Sequence, residues 1–191
     1  MIITQTLLDE LTARAKASPR LRMNYDLRNS AEDGSQRMLN AIEPGSPLPI
    51  HRHRKSSETV VCLRGRLQEV FYSEAGEETE VIELAPGGDC VALNIPIGQW
   101  HTVRVLESGT VILECKDGPY EPQGDADILH IPMPSTLDAV TERLREFIGH
   151  EARSCSMEPG CITPDYVCRM WGGQVPRETI AEALEQLKRS R

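Results

Sequence analysis

The chain lacks three features that would each point to a class of partner or location. Positive charge is not in excess, because 29 Asp and Glu face 21 Lys and Arg, and the net charge of −8 argues against nucleic acid or an anionic membrane as the main partner. No apolar run approaches the length of a membrane span. Residues 1–20 carry Asp9 and Glu10 and lack the continuous apolar core of a signal peptide. We therefore expect a cytoplasmic protein with neither a nucleic-acid nor a membrane partner.

Closely spaced cysteine pairs are also lacking among the six cysteines. Cys155, Cys161 and Cys168, with His150 upstream, are spaced unlike the ligands of structural zinc sites or iron–sulfur clusters. In a cytoplasmic protein we expect reduced thiols rather than a disulfide framework. The favoured interpretation is that these three are buried or partly buried thiols in a small helical unit. A second metal site or a redox pair is left open.

The most informative stretch runs from Gly45 to Gly65 and carries two histidines and a glutamate at short spacing. His51 and His53 are two residues apart, so on a β-strand their side chains share one face and enter the same cavity. Glu58 returns to that cavity from the start of the next strand. Two imidazoles and one carboxylate form a facial set of ligands for a divalent metal.

A fourth ligand is expected farther along the chain. In the run from Pro96 to His101, a Pro-x-Gly turn presents His101 at the head of a strand over residues 102–106. A lone His-x-His is a weak signal, but this spacing together with a distant Pro-x-Gly-x2-His is rare in unrelated sequences. The sequence therefore predicts one divalent metal held by His51, His53, Glu58 and His101. The alternative is that the three histidines are surface or core residues of a metal-free protein.

These residues resemble the two motifs of the cupin superfamily. The first motif, Gly-x5-His-x-His-x4-Glu-x6-Gly, is met at every position. The second, Gly-x5-Pro-x-Gly-x2-His-x3-Asn, is met in its middle, but Cys90 replaces the leading Gly and Val105 replaces the Asn. Neither missing residue is a metal ligand in that family. The resemblance implies a jelly-roll β-barrel with the metal inside.

Four further runs resemble the narrower group of WbuC-type cupin metalloproteins. They begin at Ser18 (Ser-Pro-Arg-Leu-Arg), Gln36 (Gln-Arg-Met-Leu-Asn-Ala), Leu63 (Leu-Arg-Gly-Arg-Leu) and Glu114 (Glu-Cys-Lys-Asp-Gly-Pro-Tyr). The resemblance covers residues 1–122. It implies a small bacterial protein of a kind often encoded with surface-polysaccharide genes, and it names a fold and a metal site but not a substrate.

The order of segments predicts a mainly β fold with helices at both ends. The 191 residues suffice for one domain with a sizeable core plus an appendage. We expect an amphipathic helix capped by Thr6 that ends at Ser18-Pro19, and then short strands at residues 36–42, 66–72, 79–84 and 90–95. Residues 103–106 and 110–115 are expected to pair as a hairpin, and residues 128–132 to add an edge strand. Three helical patterns follow residue 134, which gives a cupin jelly-roll β-barrel over residues 1–132 and a helical extension over 133–191.

The predicted ligand set leaves coordination positions open. Open positions indicate a catalytic or ligand-binding metal rather than a closed structural one. Fe(II), Mn(II), Ni(II) and Zn(II) all suit nitrogen and oxygen ligands, and the sequence does not choose among them. The candidate substrate contacts, taken from the WbuC-like runs, are Arg37, Asn40, Lys116 and Tyr120. Arg and Lys suit a carboxylate or phosphate, whereas Asn and Tyr suit sugar hydroxyls, and surface solvation or strand pairing is the alternative for each.

Three functions stay open at this point. The first is a metal-dependent enzyme, such as an isomerase, epimerase or dioxygenase, that acts on a small polar metabolite such as a sugar or sugar nucleotide. The second is a non-catalytic protein that binds a metal and a small ligand. The third, a metal-free sugar epimerase of cupin fold, ranks last because it would not require the complete metal motif. The expected partner is a small-molecule ligand, and assembly as a homodimer is left open.

Overall fold

The computed structural model describes residues 1–154, 162–171 and 174–190, and for residues 150–154 the main chain only. The chain divides into two compact units, Met1–His130 and Ile131–Arg191. Within the described residues it forms four α-helices and eight β-strands. The helices are α1 (Gln5–Ala17), α2 (Leu137–Ser154), α3 (Pro164–Met170) and α4 (Arg177–Arg189); the strands are β1 (Arg22–Asp26), β2 (Ser35–Ile42), β3 (Glu58–Arg64), β4 (Leu67–Tyr72), β5 (Glu78–Leu84), β6 (Ala92–Ile95), β7 (Trp100–Val105) and β8 (Thr110–Asp117).

The strands form two antiparallel sheets. One has five strands in the order β1-β2-β8-β3-β6, and the other has three in the order β5-β4-β7. Apolar side chains from both sheets meet in one buried cluster, which includes Val60 and Ile112 from the larger sheet and Leu67, Leu84 and Val105 from the smaller one. This is the jelly-roll architecture that the sequence predicts, although the two sheets do not close into a continuous barrel.

The predicted hairpin between residues 103–106 and 110–115 is wrong. β7 pairs with β4 in the smaller sheet, whereas β8 pairs with β2 and β3 in the larger one. The connection is a corner between sheets, and the carboxylate of Glu43 stabilises it by accepting from Ser108 Oγ at 2.6 Å and from the N–H of Gly109 at 3.0 Å. β7 and β8 are neighbours in the sequence but therefore belong to opposite walls of the core, as in a jelly roll.

The N-cap of helix α1 lies two residues earlier than the sequence predicts. Thr4, not Thr6, is the N-cap, because Thr4 has extended backbone and its Oγ1 accepts from the N–H of Leu7 at 3.3 Å. Leu8, Leu11 and Ala15 are buried in a cluster with Leu39, Ala41 and Val111 of the larger sheet. The helix thus covers the face of that sheet that points away from the smaller one.

Two further segments differ from the prediction. Strand β1 was not predicted, yet it pairs with β2 along its whole length. The predicted edge strand at residues 128–132 is reduced to a single bridge between Ile128 and His51. Strand β1 is short and largely polar, so pattern alone does not identify it. Residues 128–132 are mostly apolar and so suggest a strand, but they end at Pro132, which has no N–H to donate to a neighbouring strand.

The second unit is helical, with a core of its own. Val140, Leu144, Val167 and Ile180 are fully buried in one apolar cluster. Thr163 caps α3 through its Oγ1, which accepts from the N–H of Tyr166 at 3.2 Å. No helix among the described residues is long and apolar enough to cross a membrane.

The cysteine prediction for this unit is tested at one position only. Cys168 is partly buried and packs against the helical core, in agreement with the thiol interpretation. Cys155 and Cys161 lie outside the described residues, as does the side chain of His150.

Candidate metal centre

Main-chain hydrogen bonds bring the two histidine motifs together. The N–H of His51 donates to the carbonyl of His101 at 2.9 Å, and the N–H of His101 donates to the carbonyl of His51 at 2.8 Å. In the Pro-x-Gly turn, Gly98 has a φ of 80° and donates its N–H to the carbonyl of His53 at 2.8 Å. The predicted strand around His51 and His53 is thus only an isolated bridge, but the two rings still lie 5.0 Å apart.

The four predicted ligands converge across the two sheets. Glu58 is the first residue of β3 in the larger sheet, and His101 is the second residue of β7 in the smaller one. Glu58 Oε2 lies 3.0 Å from His53 Nε2 and 3.4 Å from His101 Nε2. One ligand atom from each of His51, His53, Glu58 and His101 lies within 4.8 Å of the others, and the structure shows no other such group among its described residues. The cluster is compact enough to hold one metal ion.

Burial within the cluster is uneven. Glu58 and His101 are buried, at 4% and 2% exposure, whereas His51 and His53 are partly exposed. The carboxylate therefore lies at the inner end of the cluster, and a ligand can approach from the side of His51 and His53.

Two of the imidazoles are oriented by main-chain carbonyls. His101 Nδ1 lies 2.9 Å from the carbonyl of Gln99, and His51 Nδ1 lies 3.2 Å from the carbonyl of Pro49. A carbonyl oxygen only accepts, so both Nδ1 atoms carry the proton and both Nε2 lone pairs are left for a metal. Burial and the neighbouring His101 lower the pKa of His51 to about 3, so its ring is neutral at pH 7.

Glu58 is held as a carboxylate. Burial by itself would raise its pKa, but the contacts of the carboxylate with the rings of His101 and His53, together with the charge of Lys116, hold the pKa of Glu58 well below its ordinary value. Glu58 Oε2 lies 3.4 Å from the acceptor side of His101, so a positive charge between the two atoms would be attracted to both. A proton on the ring or a metal ion supplies that charge, so the donor set fits a divalent cation.

The structure brings two of the four predicted substrate contacts to the cluster. Lys116 lies opposite Glu58 on β8, with its Nζ 3.2 Å from Glu58 Oε1. Asn40 does not contact the cluster itself, because its side chain interacts with Glu114, whose carboxyl group in turn interacts with Glu58. Arg37 instead binds Asp33 at 2.9 Å, and Tyr120 is 57% exposed with its ring 5.9 Å from the guanidinium of Arg28. The structure does not bring these last two to the cluster.

Sequence analysis missed two carboxyl groups near the cluster: Glu114, which is partly buried, and Glu69, which is fully buried. Burial and the charge of Glu58 raise the pKa of Glu114 to about 7. Glu69 is fully buried, both of its carboxyl oxygens lack a hydrogen-bond partner among the described residues, and burial raises its pKa well above the ordinary value. The sequence carries a signal for Glu69, because residues two apart on a strand share a face and Glu69 lies between Leu67 and Phe71 on the core-facing side of β4.

The segment that carries His51 and His53 is fastened on its outer side as well. Arg52 stacks over Trp100 with its guanidinium carbon 4.2 Å from the ring centroid, and its N–H donates to the carbonyl of Asp127 at 3.1 Å. Arg54 Nε lies 2.5 Å from Asp127 Oδ1, and the N–H of Leu129 donates to the carbonyl of Ile50 at 2.8 Å. The histidine-bearing segment therefore lies between His101 and residues 127–129.

Comparison with known proteins gives one family match over part of the chain. A family model described as a domain of unknown function (DUF6016) matches residues 3–84. No curated protein matches the sequence. The WbuC-type resemblance stays a prediction, because the matching model has no function attached.

Several solved structures are similar to the chain. CapF, the capsular polysaccharide assembling protein from Staphylococcus aureus, is 21% identical over 60% of this chain and 32% of its own, with a TM-score of 0.46. Oxalate decarboxylase from Bacillus subtilis is 15% identical over 67% of this chain and 34% of its own, with a TM-score of 0.42. The cupin domain of Cnp3 from Schizosaccharomyces pombe is 11% identical over 52% of this chain and 61% of its own, with a TM-score of 0.41.

At these identities and TM-scores the similarities carry no argument about activity, and this chain spans only about a third of CapF and of oxalate decarboxylase. The chain's own strand order and the position of its four-residue cluster identify a cupin fold with a group of side chains that could hold a metal ion.

Proposed function

We propose that this protein is a metal-dependent cupin enzyme that acts on a small polar metabolite at the partly exposed side of the cluster. The observation that carries the proposal is the convergence of His51, His53, Glu58 and His101, with ligand atoms within 4.8 Å of one another. Four protein ligands leave coordination positions free for substrate. A closed structural site, by contrast, has no coordination position free for a substrate.

The roles of the residues follow from their positions. The three imidazoles and Glu58 would hold Fe(II), Mn(II), Ni(II) or Zn(II), since all four suit nitrogen and oxygen ligands. When bound, such a metal acts as a Lewis acid toward a carbonyl or hydroxyl oxygen. The Gln99 and Pro49 carbonyls orient two of the rings. Glu58 serves as a ligand rather than a free base, because it lies at the buried end of the cluster.

The resemblance to WbuC-type cupins supports a sugar or sugar nucleotide of surface-polysaccharide metabolism as the metabolite. An isomerase, epimerase or dioxygenase reaction is compatible with the ligand set, and we place the reaction in the cytoplasm. The rival function is a protein that binds metal and ligand without turnover.

The metal site is tested by metal analysis of protein purified without added metal. Wild type is compared with His53→Ala, His101→Ala and the matched control His130→Ala, whose side chain is 64% exposed and binds Asp125 outside the cluster. We expect wild type and the control to hold equal metal and the two cluster variants to hold much less. Equal occupancy in all four would contradict the assignment.

The enzymatic part is tested by turnover. The metal-loaded protein is incubated with sugars, sugar nucleotides and small keto acids, with and without oxygen, and product is followed by mass spectrometry. We expect conversion by wild type and none by folded His101→Ala. Saturable binding of a compound that is never converted, with each of the four metals, would favour the rival function.

A further inference from the structure

Lys116 is a cation built into the candidate metal centre. Its position on β8 is directly opposite Glu58 on β3, and its side chain is 13% exposed. The ammonium Nζ lies 3.2 Å from Glu58 Oε1 and 3.3 Å from His53 Nε2. It thus contacts two of the four predicted ligands. Because the ammonium is positively charged, it does not offset the charge of a bound metal ion.

The two oxygens of Glu58 face different neighbours. Oε2 lies toward His53 and His101, and Oε1 lies toward Lys116. Glu58 can therefore offer one oxygen to a metal and still accept from Lys116 with the other. This contact holds the ammonium beside the centre whether or not a metal is present.

The contact with His53 is different. An ammonium only donates, so His53 Nε2 can accept from it only through the lone pair that a metal would take, and the same nitrogen also lies 3.0 Å from Glu58 Oε2. A metal at the cluster therefore removes one acceptor from a largely buried ammonium with three donors. Among the described residues, the hydrogen bonds of Lys116 Nζ go to Glu58 Oε1 and His53 Nε2, and none goes to Glu114. A buried ammonium that lacks an acceptor is costly, and an anionic ligand oxygen would satisfy it.

We propose that Lys116 and the metal together bind the carboxylate of a small anionic ligand, such as a 2-oxo acid or an acidic sugar. This inference rests on the proposed metal centre and specifies the ligand class that it takes. One positive charge beside another favours an anion over a neutral sugar of the same size. A charge-assisted hydrogen bond from Nζ then fixes the orientation of the carboxylate.

The test uses the full chain loaded with Co(II), whose visible spectrum reports changes at the metal. Wild type, Lys116→Met and Lys116→Gln are titrated with pyruvate, and with hydroxyacetone as a neutral ligand of similar size. We expect pyruvate to change the wild-type spectrum saturably and to bind about tenfold or more weakly to both variants. Cobalt occupancy should be unchanged or higher in the variants, and hydroxyacetone should not distinguish them from wild type.

Several outcomes would overturn the inference. One is pyruvate affinity in a cobalt-loaded variant within about twofold of wild type, and another is no saturable response of wild type to pyruvate. A variant that loses cobalt would show that Lys116 only fixes Glu58. If wild type takes up no cobalt, the proposed function fails together with the inference, which separates that case from failure of the Lys116 site alone. Two variants are used so that a folding defect in one does not end the test.

Discussion

His51 and His101 bind each other through their main chains in both directions, at 2.9 and 2.8 Å. This pair joins the two histidine motifs, although strands β3 to β6 lie between them in the sequence. Because backbone hydrogen bonds set the separation of the rings, the ligand geometry does not depend on a bound ion. We therefore expect replacement of a ligand side chain to remove metal while the fold is largely retained.

The first prediction concerns the turn that positions His101. Gly98 has a φ of 80°, and a Cβ there would meet no atom within 4 Å, so the cost of Gly98→Ala is backbone strain alone. We expect a loss of about 1–2 kcal/mol in the free energy of unfolding, together with weaker metal binding because the turn carries the hydrogen bond to His53. Urea unfolding and metal analysis measure the two effects.

Gly34→Ala is the matched control for that experiment. Gly34 also has no atom within 4 Å of an added Cβ, and it does not have a positive φ. Its replacement should leave stability nearly unchanged. Equal stability and equal metal content in the two variants would show that neither property requires the positive φ of Gly98.

The second prediction concerns the buried carboxyl of Glu69. Burial, with smaller contributions from Glu58 and Glu114, raises its pKa in the folded protein, so the folded state keeps a proton that the unfolded state releases above its own lower pKa. The stability of wild type therefore falls as pH rises beyond that unfolded value. Glu69→Gln removes this loss, so we expect it to be more stable than wild type at pH 8, by on the order of 1 kcal/mol, and about equal at pH 4.

Urea unfolding of metal-free protein at both pH values measures this difference. Glu10→Gln, at an exposed position of α1, is the control and should have little effect at either pH. A gain of equal size at pH 4 and pH 8 would mean that the Glu69 carboxyl does not titrate in the way proposed.

The third prediction concerns the attachment of α1. Arg64 donates to the carbonyls of Leu8 at 2.9 Å and Gly109 at 3.0 Å, and it pairs with Asp9 at 2.6 Å. Arg64→Met should cost about 2 kcal/mol, because the two carbonyls lose charged donors. Metal content should not change, since none of these groups belongs to the cluster.

Arg66→Met provides the comparison two residues farther on. Arg66 is 40% exposed and pairs with Glu83 at 3.5 Å, so its loss should cost well under 1 kcal/mol. Thermal unfolding and the helical circular dichroism signal measure both variants. If the two variants lose the same stability, Arg64 is not the anchor of the helix.

The fourth prediction concerns the helical second unit. All four predicted ligands lie within Met1–His130, which has its own buried clusters. A chain that ends at Pro132 should therefore hold as much metal as the full chain. A shortened chain that folds, by circular dichroism, but binds no metal would contradict this expectation.

The sequence predicted the cluster better than the strand pairing, for a physical reason. The spacing of His51, His53 and Glu58, and the glycine turn before His101, are local requirements that residue types record directly. Sheet membership is not local, because alternation shows that a segment is a strand but not which strand it joins. For that reason the pattern predicts a hairpin of β7 and β8, although these strands belong to different sheets and are joined by a corner that Glu43 stabilises.

The substrate contacts were predicted from a resemblance that does not state which face a side chain occupies. Arg37 and Asn40 are an odd number of residues apart on β2, so alternation places them on opposite faces, and only Asn40 faces the interior. Glu69 was missed because a charged residue in a core-facing position contradicts the usual pattern. Its spacing from Leu67 and Phe71 indicates the core-facing position, and the neighbouring strands establish it.

The placement of Glu58 and His101 on different sheets has a mechanical consequence. A metal bound by both would act as a cross-link between the two walls of the core, closing loops of chain much as a disulfide does. Its stabilising effect would then come from tying the sheets to each other rather than from strengthening either one. Chelation should accordingly accelerate hydrogen exchange first at the ends of β3 and β7, before the rest of either sheet becomes labile.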